Sequence, residues 1–499
     1  WICHGYYSFK YYFRFNILTD KIKLDVFSLV WFGSDPNKSR SSGIMSVQYN
    51  HPVDQDIMNE VLLSIFNKYT IFFSKLNFQN KFYYLNIPKT VTEKEIFGNI
   101  KYTNSSVEDI FKSHSQISFD LFSDDFFNII ISHNSENFTI IIHGSHLIGD
   151  GMTSATLLSL ILHNYHSKIH ALPMVELPEI SYNQLLNYAY NMRYNRFGKF
   201  FFVPKFLRFI PGIYQIIKTN RIEVEDQVFT GFLEDHEILS RTLYKFNNDF
   251  NQLLQNLKSE YNVNSNHLIT GLIAYSYCEL FGYNSTVLTY PINIRNKIGF
   301  EAGNLLTVNR VKIKFDNEIF NFILYIKKTL NKERKRKNPY YAISAGKFLK
   351  NDFNSIKERM SKLAKQSNLR ISNLGRLPTP NLEFPNPELF NDIPISNYHA
   401  NALPLGSILV HFFISSVNTV GGMEYYLTIL HNKENSSNLS FSKFKVSPSE
   451  TKFRPWSFVP RSKTVLLTRA DCPEPIWADS PTSDTLITLF WDTASAPSG

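Results

Sequence analysis

The chain has 499 residues, 43% of them hydrophobic and 15% aromatic, and a formal net charge of +9. This apolar content is ample for large cores. No apolar run reaches the roughly 18 residues needed to span a bilayer, and three dispersed cysteines (Cys3, Cys278, Cys472) without a CxxC pair argue against a disulfide framework. The positive balance is modest for the length and comes with no nucleic-acid recognition motif. It fits attraction to an anionic small molecule or a membrane surface.

In chain order, residues 1–45 are aromatic-rich, with a strand expected at Ile22–Phe32. Pro52-Val53-Asp54 leads into Ile57, Val61, Leu62, Ile65, Phe66 and Tyr69, an apolar stripe at helical spacing with Asp54 placed to cap it. Phe126–Ser132 and Phe138–His143 are apolar runs separated by His133–Asn137, the pattern of a hairpin. Met152–Leu162 reads as a helix. Residues 46–165 form one unit on this reading, and residues 166–230 are a crossover to a second unit at 231–445. That unit holds helices at Asp249–Glu260, Ser265–Leu280 and Asp316–Arg336, a strand at Val308–Phe315, and a late strand pair at Ile408–Val417 and Met423–Leu430. Residues 446–499 lack Asn and Tyr yet hold three of the five Trp. The shift reads either as an artefactual, foreign tail or as a linker-like extension.

The most informative stretch is His143-Gly144-Ser145-His146-Leu147-Ile148-Gly149-Asp150-Gly151, where an apolar strand hands over to a helix. Loop residues at such a junction are accessible yet held by rigid neighbours. A His takes a proton from a hydroxyl or amine near neutral pH. Gly149 and Gly151 permit close approaches that a Cβ blocks. The N–H groups that open the following helix favour negative charge nearby. Asp150 either orients the His or pairs with a distant cation, and the sequence alone leaves both open. His143 reads as a packed strand-end residue. His143, His146 and Asp150, or His163, His166 and His170 on one helical face, carry metal-ligand chemistry as the lesser alternative; for the second set a helix C-terminus explains the histidines. The basic run Lys327–Lys337 reads as a solvated helix end, with a phosphate contact or nuclear signal as the alternative. Phe200–Lys218 mixes aromatics and cations around Pro204 and Pro211. It reads as packed crossover, with a membrane-surface role as the alternative.

His146-Leu147-Ile148-Gly149-Asp150-Gly151 resembles the HxxxDG motif of the chloramphenicol-acetyltransferase-like acyltransferase superfamily. That group includes peptide-synthetase condensation domains, alcohol acetyltransferases, wax ester synthases and plant BAHD acyltransferases. The helix after Asp54 resembles the family's first long helix, Tyr290-Pro291-Ile292-Asn293-Ile294-Arg295 its PVN-R segment, and Ile371-Ser372-Asn373-Leu374-Gly375 its SNLG segment. The resemblance covers roughly residues 46 to 445. It implies an α/β fold of two lobes, each with mixed sheets flanked by helices, and an active-site channel between them. It implies His146 as general base, the Gly151 turn at the reacting centre, and Asp150 paired with Arg295 to fix the loop. Ser372, Asn373 and Gly375 then border the channel on the donor side.

Two departures narrow the branch. The residue before His146 is Ser145, where condensation domains and wax ester synthases usually carry a second His, and the BAHD motif DFGWG is absent, with Gly421-Gly422-Met423-Glu424-Tyr425 in the comparable region. The nearest branch on this reading is the alcohol acetyltransferases and free-standing condensation-like enzymes. The expected activity is acyl transfer from a thioester to an alcohol or amine, with acyl-CoA as co-substrate, no bound cofactor and no metal. The expected partners are these small molecules and not nucleic acid. The expected state is a cytoplasmic monomer, with peripheral membrane or lipid contact as a variant. Two alternatives stand beside it: a condensation-type enzyme using carrier-bound thioesters, and a non-catalytic scaffold or binding protein.

Overall fold

Strands rich in Ile, Val and Phe alternate their side chains between two faces, and this alternation builds the two large sheets of the protein. The computed structural model describes residues 21–29, 32, 39, 41–186, 239–246, 248–295, 300–335, 369–377, 393–402, 410–419 and 422–432, with short strand segments at 445–446, 467–469 and 489–490. The first part of the chain contains β1 (Lys21–Lys23), α1 (Val26–Leu29), β2 (Ser42–Tyr49), α2 (Gln55–Lys68), β3 (Lys75–Gln79), β4 (Phe82–Asn86), α3 (Glu93–Gly98), β5 (Ile100–Thr103), α4 (Val107–His114), β6 (Phe127–His133), β7 (Phe138–Ser145), α5 (Gly151–Ile169) and β8 (Ile180–Tyr182). The second contains β9 (Leu239–Phe246), α6 (Asn248–Tyr261), α7 (Ser265–Phe281), β10 (Ser285–Asn293), β11 (Phe300–Ala302), β12 (Leu306–Lys314), α8 (Ile319–Lys335), β13 (Leu369–Arg376), β14 (Ile395–Ala402), β15 (Val410–Thr419) and β16 (Gly422–Asn432).

Several expectations hold closely. The Asp54 side chain caps α2 by accepting from the Ile57 N–H. The hairpin is β6 with β7, registered from Phe127 opposite Gly144 to His133 opposite Phe138. The expected strand at Ile22–Phe32 is not a strand. It is the three-residue β1 followed by the short helix α1, because the Asp25 carboxylate accepts from both the N–H and the hydroxyl of Ser28 and turns the chain. Ile180–Tyr182, inside the expected crossover, forms β8 and pairs in parallel with β11. The segment 200–218, residues 336 and 337 of the basic run, and most of 446–499 lie outside the described residues. Within that last stretch, Leu467–Arg469 pairs with the edge of β9.

Two sheets organise the molecule. One runs β14-β2-β7-β6-β5, and the other carries β12-β10-β13-β15-β16-β9. β14, late in the chain, completes the first sheet by pairing antiparallel with β2, so the two lobes interlock through the backbone. In the first lobe, Ile140 and Ile142 join Val61, Leu62, Ile65, Leu158 and Ile161 in a core under α2 and α5. In the second, Leu288, Leu369, Ile371 and Ile429 pack on Phe250, Leu268, Ile269, Phe322 and Ile326 of α6, α7 and α8. The opposite faces of the two sheets meet. Ile44, Ile130 and Ile141 of the first, with Ile110 and Phe111 of α4, pack against Phe413 and Leu430 of the second. Arg241 of β9 donates to Glu108 of α4 at 2.9 Å across this seam. No described helix is long and apolar enough to cross a membrane.

Candidate active site

The β7–α5 junction is positioned by the first lobe and locked by the second. β7 is a central strand, so its end is fixed by pairing with both β2 and β6. His146 follows it, its N–H donating to the Ser41 carbonyl at 2.8 Å. Its own carbonyl accepts from the Asn304 amide, and the next carbonyl, of Leu147, accepts from the Tyr182 hydroxyl at 3.0 Å. His146 is buried, and its Nδ1 lies 3.3 Å from the Gly149 carbonyl. A carbonyl only accepts, so this contact places the imidazole proton on Nδ1 and leaves Nε2 as the basic nitrogen. Burial holds the His146 pKa below its ordinary 6.5, partly offset by the Asp150 charge and the Gly149 carbonyl. The ring is therefore neutral at physiological pH.

Asp150 is 2% exposed and caps α5. Its Oδ1 accepts from the N–H groups of Met152 (3.0 Å) and Thr153 (3.3 Å), and its Oδ2 from the Leu305 N–H (3.1 Å). Arg295 adds the charge partner, with Nη1 2.6 Å from Asp150 Oδ2. The rest of that guanidinium is spent on the same junction. Nε donates to the Glu301 carbonyl, and Nη2 donates to the Thr153 hydroxyl and the Gly303 carbonyl. Asp150 thus faces the loop and its cation, and both of its carboxylate oxygens are engaged by these four donors. The helix-opening amides of Met152 and Thr153 are occupied by Asp150 rather than open to a substrate, which leaves the Gly151 amide as the one in that turn Asp150 does not take.

The glycines mark close approaches. A Cβ on Gly149 would lie 2.4 Å from Thr153 Cβ, and one on Gly151 2.3 Å from Leu374 Cδ2. The second contact joins the start of α5 to β13, so the HxxxDG turn and the Ser372–Gly375 segment are neighbours in space. Within that segment the structure separates the residues. Ser372 Oγ sits 2.8 Å from His411 Nε2, on the face of the sheet that looks toward the first lobe. Asn373 turns the other way, donating to Asn266 of α7 at 2.8 Å and accepting from the Gly375 N–H at 2.7 Å. Gly375 has φ +71° at a bulge in the β13–β15 register, a conformation that favours glycine.

His143, His163 and His166 are engaged within the first lobe. His143 is buried, its Nε2 3.0 Å from Ser42 Oγ and its Nδ1 3.3 Å from His114, and burial pushes its pKa down to about 3. His163 contacts the Ser159 carbonyl at 2.7 Å, and His166 the Tyr49 hydroxyl at 2.7 Å. Among the described residues, no three His, Cys, Asp or Glu are arranged to hold a metal ion.

Sequence reasoning missed five residues. Asn304, in the link between β11 and β12, holds the His146 carbonyl, and its neighbour Gly303, at φ +100°, donates to the Ile148 carbonyl at 2.9 Å. His411, buried and close enough to His146 to depress its own pKa further, lies in an apolar strand where a polar residue was a signal. Arg370, directly before Ile371-Ser372-Asn373, and Arg310 break the apolar alternation of β13 and β12 in the same way.

No protein-family model matches this sequence, and no curated protein matches it. Solved structures do resemble it. The epimerization domain from the third module of tyrocidine synthetase B is similar at TM-score 0.55 and 13% identity, over 83% of this chain and 91% of that one. The first condensation domain of the calcium-dependent antibiotic synthetase gives TM-score 0.57 at 9% identity, over 83% and 92%. The trichothecene 15-O-acetyltransferase of Fusarium sporotrichioides gives 0.58 at 8% identity, over 83% and 91%. At such identities the likeness carries the fold alone: this chain shares the two-lobed α/β architecture of these epimerization, condensation and acetyltransferase structures.

Proposed function

We propose that this protein is an acyltransferase that moves an acyl group from a thioester, acyl-CoA in the first instance, to an alcohol or amine. The observation that carries the reading is the buried, neutral His146, its Nδ1 turned to the Gly149 carbonyl, on a junction that Asp150 and Arg295 hold from opposite lobes. Nε2 of His146 takes the proton of the acceptor O–H or N–H as the acceptor attacks the thioester carbonyl carbon. The tetrahedral oxyanion collapses, the C–S bond breaks, and the thiolate recovers the proton from the imidazolium. The Gly151 amide is the proposed oxyanion donor at the helix start. Asp150 and Arg295 are positioning residues. Ser372 lies beside the path of the donor, and Asn373 and Gly375 shape the bulge behind it. We place the acyltransferase unit at residues 46–445, acting without metal or bound cofactor.

Structural likeness to condensation domains equals that to the acetyltransferase, so a carrier-bound thioester is the second donor to test. The experiment measures thiol release from acetyl-, octanoyl- and palmitoyl-CoA with pooled alcohols and amines, and from a pantetheinylated carrier, for wild type and His146→Ala. Acceptor-dependent release from CoA that falls by about 10²–10⁴-fold in the variant is expected. Wild-type turnover in the variant refutes the base assignment. Release only from the carrier moves the donor to that class, and a folded protein silent with every donor refutes the acyl-transfer reading in favour of a binding scaffold.

A further inference from the structure

The seam-facing side of the second sheet carries a polar row with two arginines. Registered neighbours across the sheet are Arg310 of β12, Thr289 of β10, Arg370 of β13 and His411 of β15. Residues paired across strands share a face, and the alternating positions Leu369 and Ile371 belong to the helix-covered core, so this row points to the first lobe. On the next two strands, Leu430 of β16 and Arg241 of β9 continue the row and do touch that lobe. The row therefore runs along the surface opposite the His146 junction, and His411 links the two: it is registered beside Arg370, and the charge on His146 lowers its pKa.

Arg370 is half-buried, and its Nε is sealed from solvent with no hydrogen-bond partner. No carboxylate pairs with it among the described residues, and its near charge is a second cation, Arg310. This contrasts with Arg295 and Arg241, each of which has an acidic partner. A guanidinium partly withdrawn from water beside a second cation is costly unless an anion joins it. Burial and the neighbouring charge already push the Arg370 pKa down to about 10. The His411 Nδ1 beside it is likewise buried without a partner.

We infer that Arg370, with Arg310, forms an anion subsite in the seam that takes a carboxylate carried by the acyl group or the acceptor. A planar guanidinium matches a carboxylate in bidentate fashion. The phosphates of CoA share this chemistry, but the pantetheine arm separates them from the thioester, whereas Arg370 is registered beside His411, which lies within the electrostatic reach of His146. The ligand is called a substrate only on the acyl-transfer reading above; binding itself needs no turnover.

The test uses the full chain and binding, so that it stands apart from activity. Acetate, 3-hydroxybutyrate and phenyllactate are titrated against wild type, Arg370→Met, Arg310→Met and His146→Ala, with the corresponding methyl esters, coenzyme A and inorganic phosphate as further arms. At least one carboxylate is expected to bind wild type and His146→Ala about tenfold or more tighter than its ester. Arg370→Met is expected to abolish that preference. Ligand-free Arg370→Met is expected to melt at or above the wild-type temperature, since a group held for a ligand is not a structural support. Loss of thermal stability in Arg370→Met, or no carboxylate preferred over its ester by wild type, overturns the proposal. So does dependence on Arg370 of coenzyme A or phosphate binding alone, which would assign the subsite to the donor's phosphates. Carboxylate binding in a protein that transfers no acyl group would fail the function above while leaving the subsite standing.

Discussion

Replacing Arg295 by Ala removes the cation from a carboxylate that is 2% exposed. Breaking a buried ion pair by deleting one partner costs about 3–5 kcal/mol, because the remaining charge stays in a poor solvent. Here Asp150 keeps three backbone donors, from Met152, Thr153 and Leu305, which soften the loss. Against that, the carbonyls of Glu301 and Gly303 and the Thr153 hydroxyl each lose a donor. The balance places the cost near the lower end, about 3 kcal/mol. Equilibrium urea unfolding is the assay. With a slope of about 3 kcal/mol/M or more for a chain of this size, the midpoint falls by up to about 1 M. Arg295→Lys is expected to recover only part of this, since one ammonium cannot reach four acceptors in a plane. The double replacement Asp150→Asn with Arg295→Met is expected to be less unstable than Arg295→Ala alone, because it leaves no unpaired charge. An Arg295→Ala protein within about 1 kcal/mol of wild type would refute the claim that this pair holds the junction.

Three further outcomes follow from the same geometry. Gly149→Ala is expected to cost more activity and stability than Gly151→Ala: the first new methyl meets Thr153 at its helix-fixed Cβ, the second meets a Leu374 methyl that can rotate away. Adding Leu374→Ala should restore Gly151→Ala and leave Gly149→Ala unchanged, as read by thermal melting and turnover. His143 and His399, each pushed to about 3, and His163, pushed to about 4, are neutral when folded and bind a proton when unfolded below pH 6.5. The unfolded state then holds more protons, so stability falls as pH drops from about 6.5 toward 4, by up to about 1.4 kcal/mol per pH unit for each His. A urea midpoint that is flat between pH 6.5 and 4.5 would contradict their burial. Because burial also lowers the His146 pKa, the acid limb of kcat/KM is expected to inflect below 6.5; an inflection above 7 would mean that a different base, or an ionised His146, limits the reaction.

The local elements were legible because short-range physics decides them. Asp54 before an apolar stripe at helical spacing gives α2 its cap and its buried side. The two Ile-rich runs around Asn134–Asn137 give a hairpin, since Asn134 accepts from the Glu136 and Asn137 amides and closes the turn. His146 and Asp150 stood out because glycines and a strand–helix change surround them. Where a short polar side chain competes for the backbone, as Asp25 does with Ser28, periodicity misled and a strand became a helical turn.

What remained hidden is set by contacts across long separations in sequence. The surrounding residues left Asp150 two open roles; the resemblance named Arg295 as its partner, and packing puts that guanidinium 2.6 Å from it, 145 residues away. β14 joins the first sheet although it lies in the later part of the chain, because hydrogen-bonding register with β2 is a tertiary choice. Arg370 was not singled out along the sequence; strands from three parts of the chain set it on one face with Arg310 and His411. The sequence determined where each chain segment buries its apolar face, since that depends on spacing within a few residues. Which charges meet, and which are left waiting for a ligand, was decided by the tertiary structure alone, because Coulomb partners are chosen by distance in space and not along the chain.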